Sequence, residues 1–196
     1  IDVVIHNELN PTAELMTMGE VINKINLNSD QKNIFVTDVG QHQMIACRYA
    51  KFKQTKSMIT SGGLGTMGFC LPAAIGAKMG VPDAQVIGII GDGGFQMTIQ
   101  ELGTIFQYKT AVKIVVLNNE FLGMVRQWQE LFFEKRYAST TMVNPDFQNI
   151  VKGFGIESNK VEKREDLESA VKKMLAHDGS YLLEVMVEKE NNVFPM

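Results

Sequence analysis

Cysteine is almost absent, with Cys47 and Cys70 the only two in 196 residues. Two thiols this far apart have neither metal-ligand spacing nor the count of a disulfide framework, so a reduced, cytoplasmic setting is expected. No apolar run approaches the roughly 18 residues that a membrane-spanning helix requires, and no charged segment leads into an apolar one as in a secretory leader. Excess positive charge is missing too: 19 basic residues face 22 acidic ones, for a formal net charge of −3. A membrane and a nucleic acid are therefore not expected as partners. The chain also lacks an initiator methionine and starts at Ile1, as expected of a fragment of a longer polypeptide.

What is present is an ordinary globular composition, 45% hydrophobic and 21% charged, at a length of about one domain. Residues 1–14 carry no clear period and read as a linker remnant, leaving 15–196 as the domain. Thr17 is placed to cap a helix running to about Asn28, with Val21, Ile22 and Ile25 on one face. Ile34 to Thr37 reads as a buried strand, and Ser57 to Thr60 as another. An alanine-rich helix follows from Phe69 to about Gly80. Val86 to Ile90 is apolar at every position, the pattern of a strand covered on both faces, and Val112 to Leu117 reads as a second apolar strand. Helical spacing returns over Met97–Tyr108, Gly123–Phe133, Asp146–Gly153 and Glu165–Ala176, before a last strand at Tyr181–Val187. This alternation predicts an α/β domain of three layers around a mainly parallel sheet.

Two glycine clusters carry the chemistry. Gly63-Leu64-Gly65-Thr66-Met67-Gly68 matches the G-x-G-x-x-G of dinucleotide sites and lies between a strand and a helix. Its alternative is a tight turn, and a ribose-binding acid would not need the flanking glycines of Gly91-Asp92-Gly93-Gly94. The second cluster ends one buried strand, and Asn118-Asn119 ends the next, with Asn119 falling 27 residues after Asp92. A right-handed crossover brings the carboxyl ends of two such strands to one edge of the sheet, where ligands of open α/β sheets gather. A carboxylate and an amide oxygen are hard donors suited to Mg²⁺, which completes its shell with phosphate and water. Glycine lets backbone N–H groups approach phosphate oxygens, and a helix starting near Phe95 would add a positive end. Taken singly, each motif is also a common turn or cap.

The pairing of G-D-G with N-N resembles the motif of thiamine-diphosphate enzymes. Several long strings are similar to the acetolactate synthase large subunit in particular: Thr37-Asp38-Val39-Gly40-Gln41-His42-Gln43-Met44, Ile59 through Phe69, Phe95-Gln96-Met97, Ile99-Gln100-Glu101-Leu102, Leu122 through Gln129, and the closing Pro195-Met196. The likeness runs from about Met16 to the end. It implies the fold of the C-terminal cofactor-binding domain, with thiamine diphosphate held through Mg²⁺. By this resemblance Asp92 and Asn119 give side-chain oxygens to the metal and Phe121 a main-chain oxygen. Gly91, Gly93 and Gly94 lie along the diphosphate, and Gln43, Gly65, Gly123 and Met124 also meet the cofactor. Met67 wedges beneath it to keep its two rings bent, where the residues alone favour a core methionine. Met124, Val125 and Trp128 line the pocket for the ketoacid acceptor. Arg126 and Gln127 are left open between solvent and pocket. His42 is the one histidine set near the site, while His6 and His177 read as surface residues.

The resemblance further implies condensation of two pyruvates, or of pyruvate with 2-ketobutyrate, with loss of CO₂, in branched-chain amino-acid synthesis. It implies FAD without a redox role in the longer enzyme, a homodimer or larger homo-oligomer, and a regulatory small subunit as a further partner. The glutamate that activates the cofactor belongs to another domain of the family; Glu101 and Glu120 do not occupy its position, so this stretch alone is expected to be inactive. The nearest competing activities are pyruvate oxidase and 2-ketoacid decarboxylase. From other classes come a nicotinamide-binding domain and an interaction module without catalysis.

Overall fold

A computed structural model describes residues 2–12, 14–30, 32–189 and 192–194. Pro195 and Met196, which contribute to the resemblance, lie outside the described residues. Six strands form one parallel sheet: β1 (Ile34–Thr37), β2 (Met58–Thr60), β3 (Val86–Gly91), β4 (Val112–Asn118), β5 (Glu157–Val161) and β6 (Tyr181–Met186), in the order β2-β1-β3-β4-β6-β5. The continuous apolar runs are the central strands, and every residue of β1, β3 and β4 is buried.

Chirality sorts the helices. Parallel crossovers are right-handed, so connections moving one way along the sheet cover one face and those moving back cover the other. The steps β1 to β2 and β5 to β6 run toward the same edge, through α3 (Gln41–Tyr49) and α9 (Arg164–Ala176). These helices share a core with α2 (Met18–Asn28), Phe35, Ile87, Ile89, Val115 and Leu183. The opposite steps pass through α4 (Cys70–Gly80), α5 (Asp92–Met97), α6 (Leu102–Tyr108) and α8 (Phe147–Gly153). Their apolar faces join Val36, Val86, Ile90, Ile114 and Val116 on the other side. The three-layer α/β architecture follows.

Several local expectations hold. The Thr17 hydroxyl accepts the backbone N–H of Glu20 at 3.1 Å and caps α2. Asp146 caps α8 in the same way, through the N–H of Asn149 at 3.0 Å. The segment Gly123–Phe132 is α7.

Four expectations change. Asp2–Leu9, read as linker, forms α1; its period is obscured because Val3 and Val4 face outward, while Ile5 and Leu9 pack on the core. The Glu8 carboxylate at its end accepts Arg48 Nη1 at 2.7 Å and the Tyr49 hydroxyl at 2.5 Å, joining α1 to α3. The segment expected as one helix from Met97 divides into α5, a 3₁₀ turn at Ile99–Glu101, and α6. The helix expected near Phe95 starts at Asp92 itself. His177 is half-buried, not at the surface, with its ring edge-on to Tyr181 at 5.4 Å.

At Gly88 on β3, α4 comes close to the sheet: a Cβ built there meets Cys70 Sγ at 3.0 Å. That sulfur is fully buried and donates to the Val36 carbonyl at 3.2 Å. Gly88→Val therefore overpacks the layer and lowers unfolding free energy by about 1–3 kcal/mol. In urea titrations, adding Cys70→Ala recovers part of the loss; strictly additive losses would show that the two sites do not meet.

Candidate functional site

The sheet reverses its winding between β1 and β3: β2 lies outside β1 on one side, and β3 starts the run on the other. Chain leaving the carboxyl ends of β1 and β3 diverges there to opposite faces, which opens a crevice. A cavity of about 210 Å³ occupies it. Its walls come from the segment after β1 (Val39 to His42), the glycine loop after β2 (Gly65, Met67), the end of β3 (Gly91 to Gly94), and the segment after β4 (Asn119 to Val125, with Trp128).

Asp92 is the first residue of α5, and only 1% of its surface is exposed. Burial pushes its carboxyl above the usual range, opposed by hydrogen bonds from the Asn144 amide and the backbone N–H of Gly93. The Asn144 bond, from Nδ2 to Asp92 Oδ2, is 2.7 Å long. A buried carboxyl stripped of water gains from a cation beside it, which restores its charged form. Asn119 is equally buried and lines the same cavity. Its Oδ1 accepts the N–H of Phe121 at 3.2 Å, a turn closed by Glu120 in the left-handed region at φ 56°. Asn118 points elsewhere: its Nδ2 donates to Glu184 Oε1 at 2.8 Å, and its Oδ1 accepts Asn144 Nδ2 at 2.9 Å and the Glu120 N–H at 3.1 Å. Of the two asparagines, only Asn119 faces the cavity.

The glycines have steric reasons. A Cβ on Gly94 would lie 2.6 Å from Asp38 Oδ1, and one on Gly93 would lie 2.8 Å from Leu122 Cδ2 and 3.0 Å from Met67 Cε. On Gly123 a Cβ would fall 2.1 Å from Gln41 Oε1. Met67 thus sits over Gly93 at the cavity wall, where the sequence also allowed a core methionine. Gly65 and Gly91 line the cavity together with Phe121 and Met124. Val125 and Trp128 stand at its rim, 43% and 54% exposed.

Gln43 lies outside the residues lining the cavity, and its amide donates to Thr60 Oγ1 at 2.7 Å. The α3 helix starts at Gln41, so Gln41 and His42, its first two residues, reach the cavity and Gln43 turns away toward β2. No sequence pattern singles out Gln41, whose buried Oε1 has no hydrogen-bond partner while its Nε2 donates to Gln127 Oε1 at 2.9 Å. Gln127 is accordingly buried, and it also holds Val193, by donating to its carbonyl at 2.7 Å and accepting its N–H at 3.0 Å. Arg126 stacks on Phe121 and Tyr137, 4.5 and 3.7 Å from the ring centroids. Both residues left open by the sequence are therefore engaged within the protein.

The dinucleotide reading of the first glycine cluster does not fit. The N–H groups of Gly68 and Cys70, at the start of α4, already donate to Asp38 Oδ1 and Oδ2 at 2.9 and 3.0 Å. A pyrophosphate would find those donors taken.

Among the described residues, no three His, Cys, Asp or Glu side chains gather where a metal could bind. A cation in the crevice would therefore depend on Asp92, amide and main-chain oxygens, and a ligand's own phosphate, the habit of Mg²⁺. Two buried polar atoms at the wall without partners, Gln41 Oε1 and His42 Nε2, add to the fit with a polar ligand. No described helix is long and apolar enough to cross a membrane. Cys47 and Cys70 are both free thiols.

His42 is wedged against Gly40 and Gly91, where a Cβ would meet its ring at 2.7 and 3.0 Å. Burial lowers its pKa from 6.5 to about 4, against a smaller upward pull from Asp38. The fold accepts the neutral ring, whereas the unfolded chain takes up a proton below 6.5. Stability from this group is complete above pH 6.5 and is lost as pH falls toward 4, by about 3 kcal/mol. Denaturation followed between pH 7 and 4 should show this slope, and His42→Gln should flatten it.

The thiamine pyrophosphate enzyme family, represented by its C-terminal TPP-binding domain, matches residues 38–185. The chain is 48% identical over 164 residues to the acetolactate synthase isozyme 2 large subunit of Escherichia coli, covering 83% of this chain and 30% of that protein. It is 45% identical over 186 residues to the acetolactate synthase large subunit of Cyanidium caldarium, covering 94% and 32%. Against the mitochondrial acetolactate synthase catalytic subunit of Aspergillus candidus, identity is 45% over 180 residues, covering 92% and 26%. The chain thus spans about a third or less of the curated relatives it matches. With a parallel sheet, a crevice at its switch point, and Asp92 and Asn119 on adjacent strand ends, the chain belongs to the thiamine pyrophosphate enzymes, as their C-terminal TPP-binding domain.

Proposed function

We propose that this domain holds the diphosphate end of thiamine diphosphate through Mg²⁺ in an acetolactate synthase, which joins two pyruvates, or pyruvate and 2-ketobutyrate, with release of CO₂. The observation that carries the reading is the convergence of Asp92 and Asn119, from the ends of β3 and β4, on one cavity beside Met67. Asp92 supplies the charge, Asn119 an amide oxygen and Phe121 a main-chain oxygen. Gly93 and Gly94 let phosphate oxygens near the backbone. Thiamine diphosphate, when bound, supplies the nucleophilic carbon and the electron sink for loss of CO₂ from a 2-ketoacid.

The remaining tasks fall to the walls. Met67 gives the bent cofactor an apolar support. Trp128 and Val125, at the rim, shape the volume open to the acceptor's side chain. Gln41 Oε1 and the neutral ring of His42 offer hydrogen-bonding atoms on the side of β1. Asp92 is the only acid on the cavity wall among the described residues, so the activating glutamate is assigned to a domain outside this chain. The C-terminal end of α7 exposes Leu131 and Phe132 at 50% and 73%, and Phe133 just beyond it at 53%, which suits assembly with a second copy or another domain. FAD, a regulatory subunit, a role in branched-chain amino-acid synthesis and a cytoplasmic setting belong to the same reading of the whole enzyme. The unpaired thiols favour a reduced compartment.

In the full-length polypeptide carrying this domain, Asp92→Ala removes the only charged donor and should abolish activation by Mg²⁺ and thiamine diphosphate. Asn119→Ala removes a neutral donor and should weaken both less. Unchanged activation curves for Asp92→Ala would refute the assignment. Trp128 carries no oxygen donor, so Trp128→Leu should change the proportion of 2-ketobutyrate to pyruvate used as acceptor and leave cofactor affinity within about twofold, a steric effect of a few methylene equivalents. Collapse of cofactor affinity at a constant product ratio would remove Trp128 from the pocket.

A further inference from the structure

Behind the two ligand loops lies a chain of buried and half-buried polar side chains that the proposed activity does not use directly. Asn144 donates from one nitrogen, Nδ2, to Asp92 Oδ2 at 2.7 Å and to Asn118 Oδ1 at 2.9 Å. Its own Oδ1 accepts Gln96 Nε2 at 2.8 Å. Asn118 passes the network on to Glu184 Oε1 at 2.8 Å, and Glu184 Oε2 accepts Gln148 Nε2 at 2.8 Å. Glu184 is 4% exposed on β6. The amide of Asn144 thus joins the end of β3 to the end of β4, the two strands whose next turns present Asp92 and Asn119.

We infer that Asn144 is a positioning residue for the metal: its single amide fixes the plane of the Asp92 carboxylate and the distance between the two metal-binding loops. The inference rests on the Mg²⁺ role proposed above. Three features suit Asn144 to the task. A neutral donor steadies a carboxylate without cancelling the charge a cation needs, which a lysine or arginine would do. Outer partners of this kind orient metal ligands and tune affinity. The residue's own backbone is held on both sides: Pro145 restricts it to extended conformations, and the N–H of Met142 donates to the Glu120 carbonyl at 2.8 Å, beside the Phe121–Thr141 bridge. The segment that carries Asn144 is therefore fastened to the same turn that carries Asn119 and Phe121.

The test is calorimetric titration of Mg²⁺ into the metal-free full-length enzyme at saturating thiamine diphosphate, with melting temperature recorded for each variant without metal. Asn144→Ala should weaken Mg²⁺ on the order of 10- to 100-fold. Asn144→Ser, small and still able to donate one hydrogen bond, guards against misfolding and should recover part of the affinity. Maximal turnover at saturating Mg²⁺ should change far less than the Mg²⁺ concentration giving half of it. A fall in melting temperature with the Mg²⁺ constant unchanged in both variants would overturn the inference, reducing Asn144 to a loop anchor. Equal losses for Ala and Ser alongside equal losses in maximal turnover would overturn it too. A wild-type enzyme that takes up no Mg²⁺ at all would overturn the proposed function along with it.

Discussion

The carboxyl group of Asp38 accepts backbone N–H groups from Val39, Gly68 and Cys70 at 2.8, 2.9 and 3.0 Å, and it is fully buried where β1 ends. One side chain thereby ties β1 to the glycine loop and to the start of α4. The same oxygens fill the space that a side chain on Gly94 would need, so the β3 turn is drawn against them. Three walls of the crevice consequently take their positions from one group. An unpartnered carboxyl at that depth would be costly, and the three N–H donors are what make it tolerable. The N–H donors at the start of α4 are used for construction, and the cavity is lined by the ends of β1, β3 and β4.

Close approach is the second recurring constraint. Gly88 lets α4 lie against β3, Gly93 admits Met67 and Leu122, and Gly123 admits the Gln41 amide. Each glycine converts a strand or turn into a contact surface for a particular neighbour. The crevice is built by fitting large side chains from one segment onto the bare backbone of another, which fixes its width without hinges.

How much of this could be read in the sequence depended on what buries each element. Strands β3 and β4 were legible because both faces are covered, so Val86–Ile90 is apolar throughout and Val112–Leu117 everywhere but Lys113, whose ammonium donates to the carbonyls of His177 and Gly179. Strand β5 was missed because it is an edge: Glu157-Ser158-Asn159-Lys160-Val161 is polar and partly exposed, with only Val161 buried. Helix α3 was missed because polar residues, Gln41 and His42, are buried at its start; they serve the crevice and break the apolar period that signals a helix. Of the expected site, every residue except Gln43 lines the cavity. Its displacement follows from the unforeseen helix, since successive residues at a helix start point about 100° apart. Asn144 carried no sequence signal at all. Nothing near Asn144-Pro145-Asp146 marks it as a neighbour of Asp92, because the contact arises from pairing at Phe121 and Thr141.

The order of strands has a consequence for synthesis. Strand β6, the last of the described strands, is inserted between β4 and β5. While residues before Tyr181 emerge from a ribosome, β4 presents an unpaired, largely apolar edge, and β5 has no neighbour to pair with. The sheet closes only when β6 enters that gap, a late and non-local step of the kind that slows folding. Until then the unpaired edge of β4 is a template for wrong partners. Glu184 enters with β6, so the polar network behind Asp92 and Asn119 cannot exist in a nascent chain that stops short of this strand.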